Sequence, residues 1–173
     1  MTLLNCHQCH SKIPLPINFS NLTFSTFNNT VSFKGSFEIL SDINGLINLE
    51  LESTRCSVKQ KQCSKFSSLK FDDICGRFFN NHILGDRFVS AVTPKLDCPF
   101  KKGVYETNNV VLNVGFTTKL PLGGNIYDVL IRLTGSKIKR IACYEASALF
   151  NGNPSEKQFK SRSQCENTPR KKN

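Results

Sequence analysis

Residues 110–133, VVLNVGFTTKLPLGGNIYDVLIRL, hold two runs in which apolar and polar side chains alternate at a period of two. VVLNVGF (110–116) sets Val110, Leu112, Val114 and Phe116 on one face, and IYDVLIRL (126–133) sets Tyr127, Val129, Ile131 and Leu133 on one face. Successive side chains of a strand point to opposite sides of its sheet, so each run is predicted to be a strand with one face turned inward. Pro121 and the pair Gly123-Gly124 supply the turn between them.

The same pattern runs outward from this stretch. VSFKGSFEIL (31–40) places Phe33, Gly35, Phe37 and Ile39 together, and INLELES (47–53) places Ile47, Leu49 and Leu51 opposite Asn48, Glu50 and Glu52. Asn44-Gly45 between these two runs is a hairpin signal. IKRIACYEASALF (138–150) is a further strand candidate after the Gly135-Ser136 turn. FDDICGRFF (71–79) departs from the alternation: apolar residues at 71, 74, 78 and 79 and an aspartate able to cap a first turn predict a short helix. The fold class is therefore all-β with one short helix, in one domain spanning 1–153 followed by a polar segment, 154–173.

Eight cysteines, at 6, 9, 56, 63, 75, 98, 143 and 165, form an even set that reads as a disulfide framework made in an oxidising compartment. Three N-glycosylation sequons, at Asn18 (NFS), Asn21 (NLT) and Asn28 (NNT), point to the same compartment. CHQCH (6–10) also matches the haem-attachment pattern Cys-x-x-Cys-His, and its residue types suit zinc. Haem needs a second axial ligand, for which the chain offers only Met1 or His82. Zinc held by Cys6, His7, Cys9 and His10 asks four ligands in five residues to surround one tetrahedral ion. Disulfide cysteines with incidental histidines are the expectation, with no cofactor and no metal. MTLLNC lacks the basic region and apolar run of a secretory signal, and no other stretch approaches the roughly 20 apolar residues of a membrane span. The chain is expected to be soluble and secreted, its signal not being part of this sequence.

A good share of the net charge of +10 lies in the terminal EKQFKSRSQCENTPRKKN, which has no apolar periodicity and reads as a solvated tail with some attraction to an anionic membrane. Nucleic acid is not expected as a partner, because the aromatic residues are mostly Phe inside apolar strands rather than exposed among basic ones. Nor is an enzyme: there is no Gly-x-Ser-x-Gly elbow and no nucleotide-binding glycine loop, and two of the three histidines sit in the cysteine doublet. Asp72-Asp73 is adequately explained by a helix N-terminus.

From Cys98 the text becomes specific: CPFKKGVY (98–105), a strand, LPLGGNIYDV (120–129), a second long strand and IKRIACYEASALFNG (138–152). In order and spacing these resemble the ganglioside activator family, lysosomal lipid carriers related to the ML (lipid-recognition) proteins. The likeness covers roughly 55–152 and includes Cys56, Cys63 and Cys75; related insect chemosensory proteins share the paired N-terminal cysteines. The resemblance implies bridges Cys56–Cys63, Cys75 with Cys98 or another middle cysteine, and an N-terminal cysteine with Cys143. The chain departs in having the doublet Cys6 and Cys9 and the additional Cys165, so one of the doublet is expected to pair with Cys143 and the other with Cys165.

The fold so implied is an antiparallel β-cup or sandwich of about 7–8 strands whose apolar cavity holds acyl or hydrocarbon chains. Phe33, Phe37, Leu49, Leu51, Leu112, Val114, Val129 and Ile131 are the lining candidates. Phe78, Phe79, Ile83, Leu84 and Phe88, in the segment enclosed by Cys75 and Cys98, are candidates for an apolar rim that touches lipid or membrane. The implied function is binding or transfer of a lipid or small hydrophobic ligand, with a hydrolase or receptor as a further partner and the lysosomal lumen as an alternative location. The alternative is a chemosensory ligand binder or a secreted interaction protein.

Overall fold

The computed structural model describes residues 2–11, 13–27, 30–58, 62–77, 89–113, 123–150 and 161–164. Ten strands and one helix follow in the order β1 (Thr2–Gln8), β2 (Ile17–Phe27), β3 (Thr30–Ile39), β4 (Ile47–Ser57), β5 (Cys63–Phe71), α1 (Ile74–Arg77), β6 (Val92–Thr93), β7 (Gly103–Asn113), β8 (Asn125–Gly135), β9 (Ala142–Phe150) and β10 (Ser161–Gln164). The all-β expectation holds, with ten strands among the described residues where about seven or eight were expected. Every pairing is antiparallel, and the strands form two five-stranded sheets ordered β1-β9-β8-β4-β5 and β10-β2-β3-β7-β6.

Asn44-Gly45 does not make a hairpin. β3 and β4 lie in different sheets, and the turn carries the chain from one to the other. Gly45 has φ +94°, a conformation that favours glycine, and a Cβ there would stand 2.7 Å from Ser136 Oγ, which would have to rotate away. Gly123-Gly124 likewise joins strands of different sheets, β7 and β8. The predicted helix starts at Ile74, since Phe71 ends β5: Asp73 caps it, its Oδ1 accepting from the Gly76 N–H at 3.1 Å, and Asn48 Oδ1 accepts from the Asp73 N–H. Within the basic terminal segment, Ser161–Gln164 pairs with Thr23–Thr26 of β2. An edge strand held by its backbone needs no apolar alternation, so composition gave no sign of it.

The inner faces meet most tightly at one end. Ile17, Phe37, Ile39, Ile43, Ile47, Phe100, Tyr105, Ile141 and Tyr144 form a continuous buried cluster there, with Ile39, Ile47 and Ile141 wholly excluded from water. Phe37 stacks on Tyr105 (5.2 Å between ring centres) and tilts against Phe19 (5.4 Å). Outer faces are polar: Arg132 pairs with Glu52 (3.2 Å) and Glu50 (3.8 Å), and Lys70 with Glu50 (3.0 Å), across three neighbouring strands.

A bulge in β2 between Ser20 and Thr23, with Asn21 at φ +55°, brings the β2 backbone over Gly35 of β3. A Cβ on Gly35 would lie 2.7 Å from Leu22 Cα and 2.8 Å from Asn21 O. Both are backbone atoms that cannot swing aside. Gly35→Ala is expected to destabilise the chain by about 1–3 kcal/mol, measured by urea denaturation, through this overlap. An unchanged midpoint would mean that the bulge is free to relax.

Candidate functional site

The two sheets do not close equally along their length. Going from the closed end along β4, Ile47 is fully buried while Leu49, Leu51 and Ser53 on the same face are half-buried. On β3, Ile39 and Phe37 are buried and Phe33 and Val31 half-buried; on β9, Ala142 and Tyr144 give way to Ala146 and Ala148. The registers Leu51↔Ile131, Ser53↔Val129 and Val129↔Ala146 put these half-buried side chains side by side on one face. The inner faces are thus fully buried at one end and, apart from buried Val110, Thr26 and Tyr127, half-buried at the other.

Edges differ too. At one, β1 and β10 are the outermost strands of their sheets, and Ser161–Gln164 is laid along β2. At the other, β5 faces β6, which is only two residues long. The inward neighbours of Leu51 and Leu49 on β5, Leu69 and Phe71, are consequently left exposed, as is Phe66.

Cystines and one phenol hold the frame. Cys9–Cys143 joins the end of β1 to β9, and beside it the Cys9 N–H donates to the Cys143 carbonyl at 3.0 Å. Cys56–Cys63 ties the β4–β5 hairpin, and Cys75–Cys98 ties α1 to the start of the CPFKKG loop. Cys6 is disulfide-bonded as well, so both sulfurs of CHQCH are committed to cystines; His7 meets Glu145 on the outer face at 3.3 Å. The Phe19 N–H donates to the Tyr144 hydroxyl (2.8 Å), tying the two sheets together. Burial pushes the Tyr144 phenol above its ordinary pKa, and the Phe19 bond only partly offsets this, so it stays neutral in any physiological compartment. In the CPFKKG loop, Asp42 accepts from the Lys102 N–H (2.8 Å) and Lys101 Nζ (2.9 Å), which hold its carboxyl below the usual range.

No protein-family pattern matches the chain, and no curated protein matches it. Among solved structures it is similar to a Niemann-Pick type C2 protein from the Japanese carpenter ant, with 17% identity and a TM-score of 0.46 over 83% of this chain and 97% of that one. It is also similar to chicken MD-1 complexed with lipid IVa, with 15% identity and a TM-score of 0.41 over 82% of this chain and 94% of the other. A Bacteroides uniformis beta-glucuronidase gives 16% identity and a TM-score of 0.29, over 86% of this chain but only 14% of that enzyme.

Of the lining candidates, Phe33, Leu49, Leu51, Val129 and Ile131 are inward-facing and half-buried, with Leu49 and Ile131 packed against the closed core. Phe37, at 3% exposure, belongs to that core. Only the backbone of Leu112 is described, opposite Val31, and Val114 lies outside the described residues. So do the rim candidates Phe78, Phe79, Ile83, Leu84 and Phe88, together with Asn28 and Cys165. Asn21 is exposed at the bulge, whereas Asn18 is half-buried and its Oδ1 accepts from Gln8 Nε2 (2.9 Å). Sequence reasoning placed Tyr127 on the inward face without naming it a lining candidate, and missed Phe24 and Phe150: Phe24 packs with Phe33 (5.8 Å), and Phe150 sets its edge against Tyr127 (5.2 Å). The alternation in INFSNLTFSTF was the available signal for Phe24, but the bulge shifts its phase midway.

Proposed function

We propose that this chain is a carrier of lipid or another long apolar ligand, made in an oxidising compartment and acting outside the cytosol or in the lysosomal lumen. The observation that supports it is the graded burial of the two inner faces: Phe33, Leu51 and Val129 are half-buried beyond the fully buried core. Burying each CH₂ of an acyl chain against such a surface contributes about 0.8 kcal/mol, so a chain of some 16 carbons gains on the order of 12 kcal/mol before its ordering costs. Three cystines of defined partners support the compartment. Exposure favours Asn21 over Asn18 as a glycan acceptor. The rim at Phe78, Phe79, Ile83, Leu84 and Phe88 is proposed to guide ligand past the uncovered inner face of β5.

Protein secreted from a eukaryotic host is expected to carry lipid, seen by native mass spectrometry as adducts that organic extraction removes, and the emptied protein is expected to take up a fluorescent fatty acid. Protein that emerges empty and takes up none would rule the carrier out. A strong preference for short volatile hydrocarbons over acyl chains would point to a chemosensory ligand instead.

A further inference from the structure

Where β4 and β8 reach the open end, Arg55 and Tyr127 are register partners and so share the inner face of the sheet. Tyr127 is only 4% exposed, with its ring edge-on between Phe66 (5.1 Å) and Phe150 (5.2 Å). Its hydroxyl is buried and has no hydrogen-bond partner; among the described residues only Asn5 Oδ1, two strands away on β1, is in the same condition. A buried hydroxyl without a partner is costly, and no described residue supplies one. Arg55 is exposed and stands 6.0 Å from the Phe66 ring. Arg132 of the same sheet meets Glu50 and Glu52, yet Arg55 has no carboxylate partner among the described residues. Among the described residues, a guanidinium without a carboxylate partner and a buried phenol without a hydrogen-bond partner thus share one face of the sheet, both against Phe66.

We propose that Arg55 and Tyr127 form a headgroup site for the oxyanion of a single-chain amphiphile, a carboxylate, sulfate or phosphate whose hydrocarbon tail runs inward past Val129, Ile131 and Leu51. The guanidinium offers a planar fork of donors to such an oxyanion, and the phenol supplies one more donor from the buried side. Phe66 keeps the arginine at the mouth through its ring face. The site rests on the carrier reading above, and adds to it both a ligand charge and a direction of insertion.

Displacement of a fluorescent fatty acid at pH 7.5 by sodium palmitate, methyl palmitate and sodium acetate tests this. Palmitate is expected to bind roughly tenfold or more tighter than its ester, the scale of hydrogen bonds to a charged group, and acetate not to compete. Arg55→Leu is expected to bring palmitate down to the level of the ester while leaving the ester unchanged, and Arg55→Lys to retain part of the preference. Tyr127→Phe is expected to weaken palmitate several-fold without lowering the melting temperature, because the hydroxyl it removes is unpartnered. Equal binding of palmitate and ester, or an Arg55→Leu variant that keeps the preference, overturns the headgroup site and leaves the carrier standing. Binding of neither overturns both. Competition by acetate at the concentration of palmitate would reduce the site to a small-anion site, and a lowered melting temperature for Tyr127→Phe would show that its hydroxyl is satisfied within the protein.

Discussion

Replacing Cys9 and Cys143 together by alanine is expected to cost about 5 kcal/mol of stability, the value that chain entropy assigns to so long a loop. The two residues are 134 positions apart, and the bridge joins the strand nearest the N-terminus to β9, near the closed end where Leu15 and Leu130 pack around it. Without it the unfolded chain loses the constraint between positions 9 and 143, while Cys56–Cys63, Cys75–Cys98 and the cystine of Cys6 remain. Single domains are commonly stable by only about 5–15 kcal/mol, so the variant should unfold with a melting temperature lower by roughly 10–20 °C. Cys56–Cys63 is the comparison: its partners are 7 positions apart and already held by the β4–β5 ladder, so its removal is expected to cost about 2 kcal/mol. Calorimetry of the two double variants checks the order. A Cys56/Cys63 variant as damaged as the Cys9/Cys143 variant would mean that these bridges act through native packing and not through the unfolded chain.

The strands that were legible in the sequence are those with one face on the core and one in water. INLELES and IYDVLIRL alternate because Leu49 and Ile131 point inward while Glu50, Glu52 and Arg132 pair outside. Strands that were not legible lack that asymmetry. β5, CSKFSSLKF, is exposed over almost its whole length, so no periodicity was required of it, and a bulge displaces Phe66. β1 was hidden by the cysteine doublet, whose letters drew attention to metal chemistry when its backbone was pairing with β9. The distribution of strands between sheets was also beyond the sequence pattern: β3 pairs with β2 and β7, and β4 with β5 and β8, so the neighbour of a strand in the chain is often not its neighbour in the sheet. An Asn-Gly turn specifies a tight reversal but not whether the returning strand pairs or crosses over. Within the site, Leu51, Val129 and Ile131 could be named from alternation alone. Alternation also placed Tyr127 on that face, but not Arg55, whose significance lies in its neighbours in the sheet.

Enlarging a side chain at the two ends of the sandwich is expected to have opposite consequences. Val129 is half-buried at the open end, between Ser53 on one side and Ala146 on the other. Small neighbours leave room, so Val129→Phe is expected to leave the unfolding midpoint within about 0.5 kcal/mol of the original while filling space that an acyl chain would use. Losing contact with about three methylenes lowers affinity by roughly 2.4 kcal/mol, or on the order of 50-fold, for long chains, with little change for chains short enough to avoid the new ring. Ile39, wholly buried in the closed core, should respond the other way: Ile39→Phe overpacks a filled space and costs about 1–3 kcal/mol of stability, while the fraction that remains folded keeps its preference for chain length. Fatty acids of graded length, measured against both variants alongside urea denaturation, separate the two ends. If Val129→Phe destabilises as much as Ile39→Phe and leaves the length profile unchanged, the open end is packed solid and the interior holds no chain.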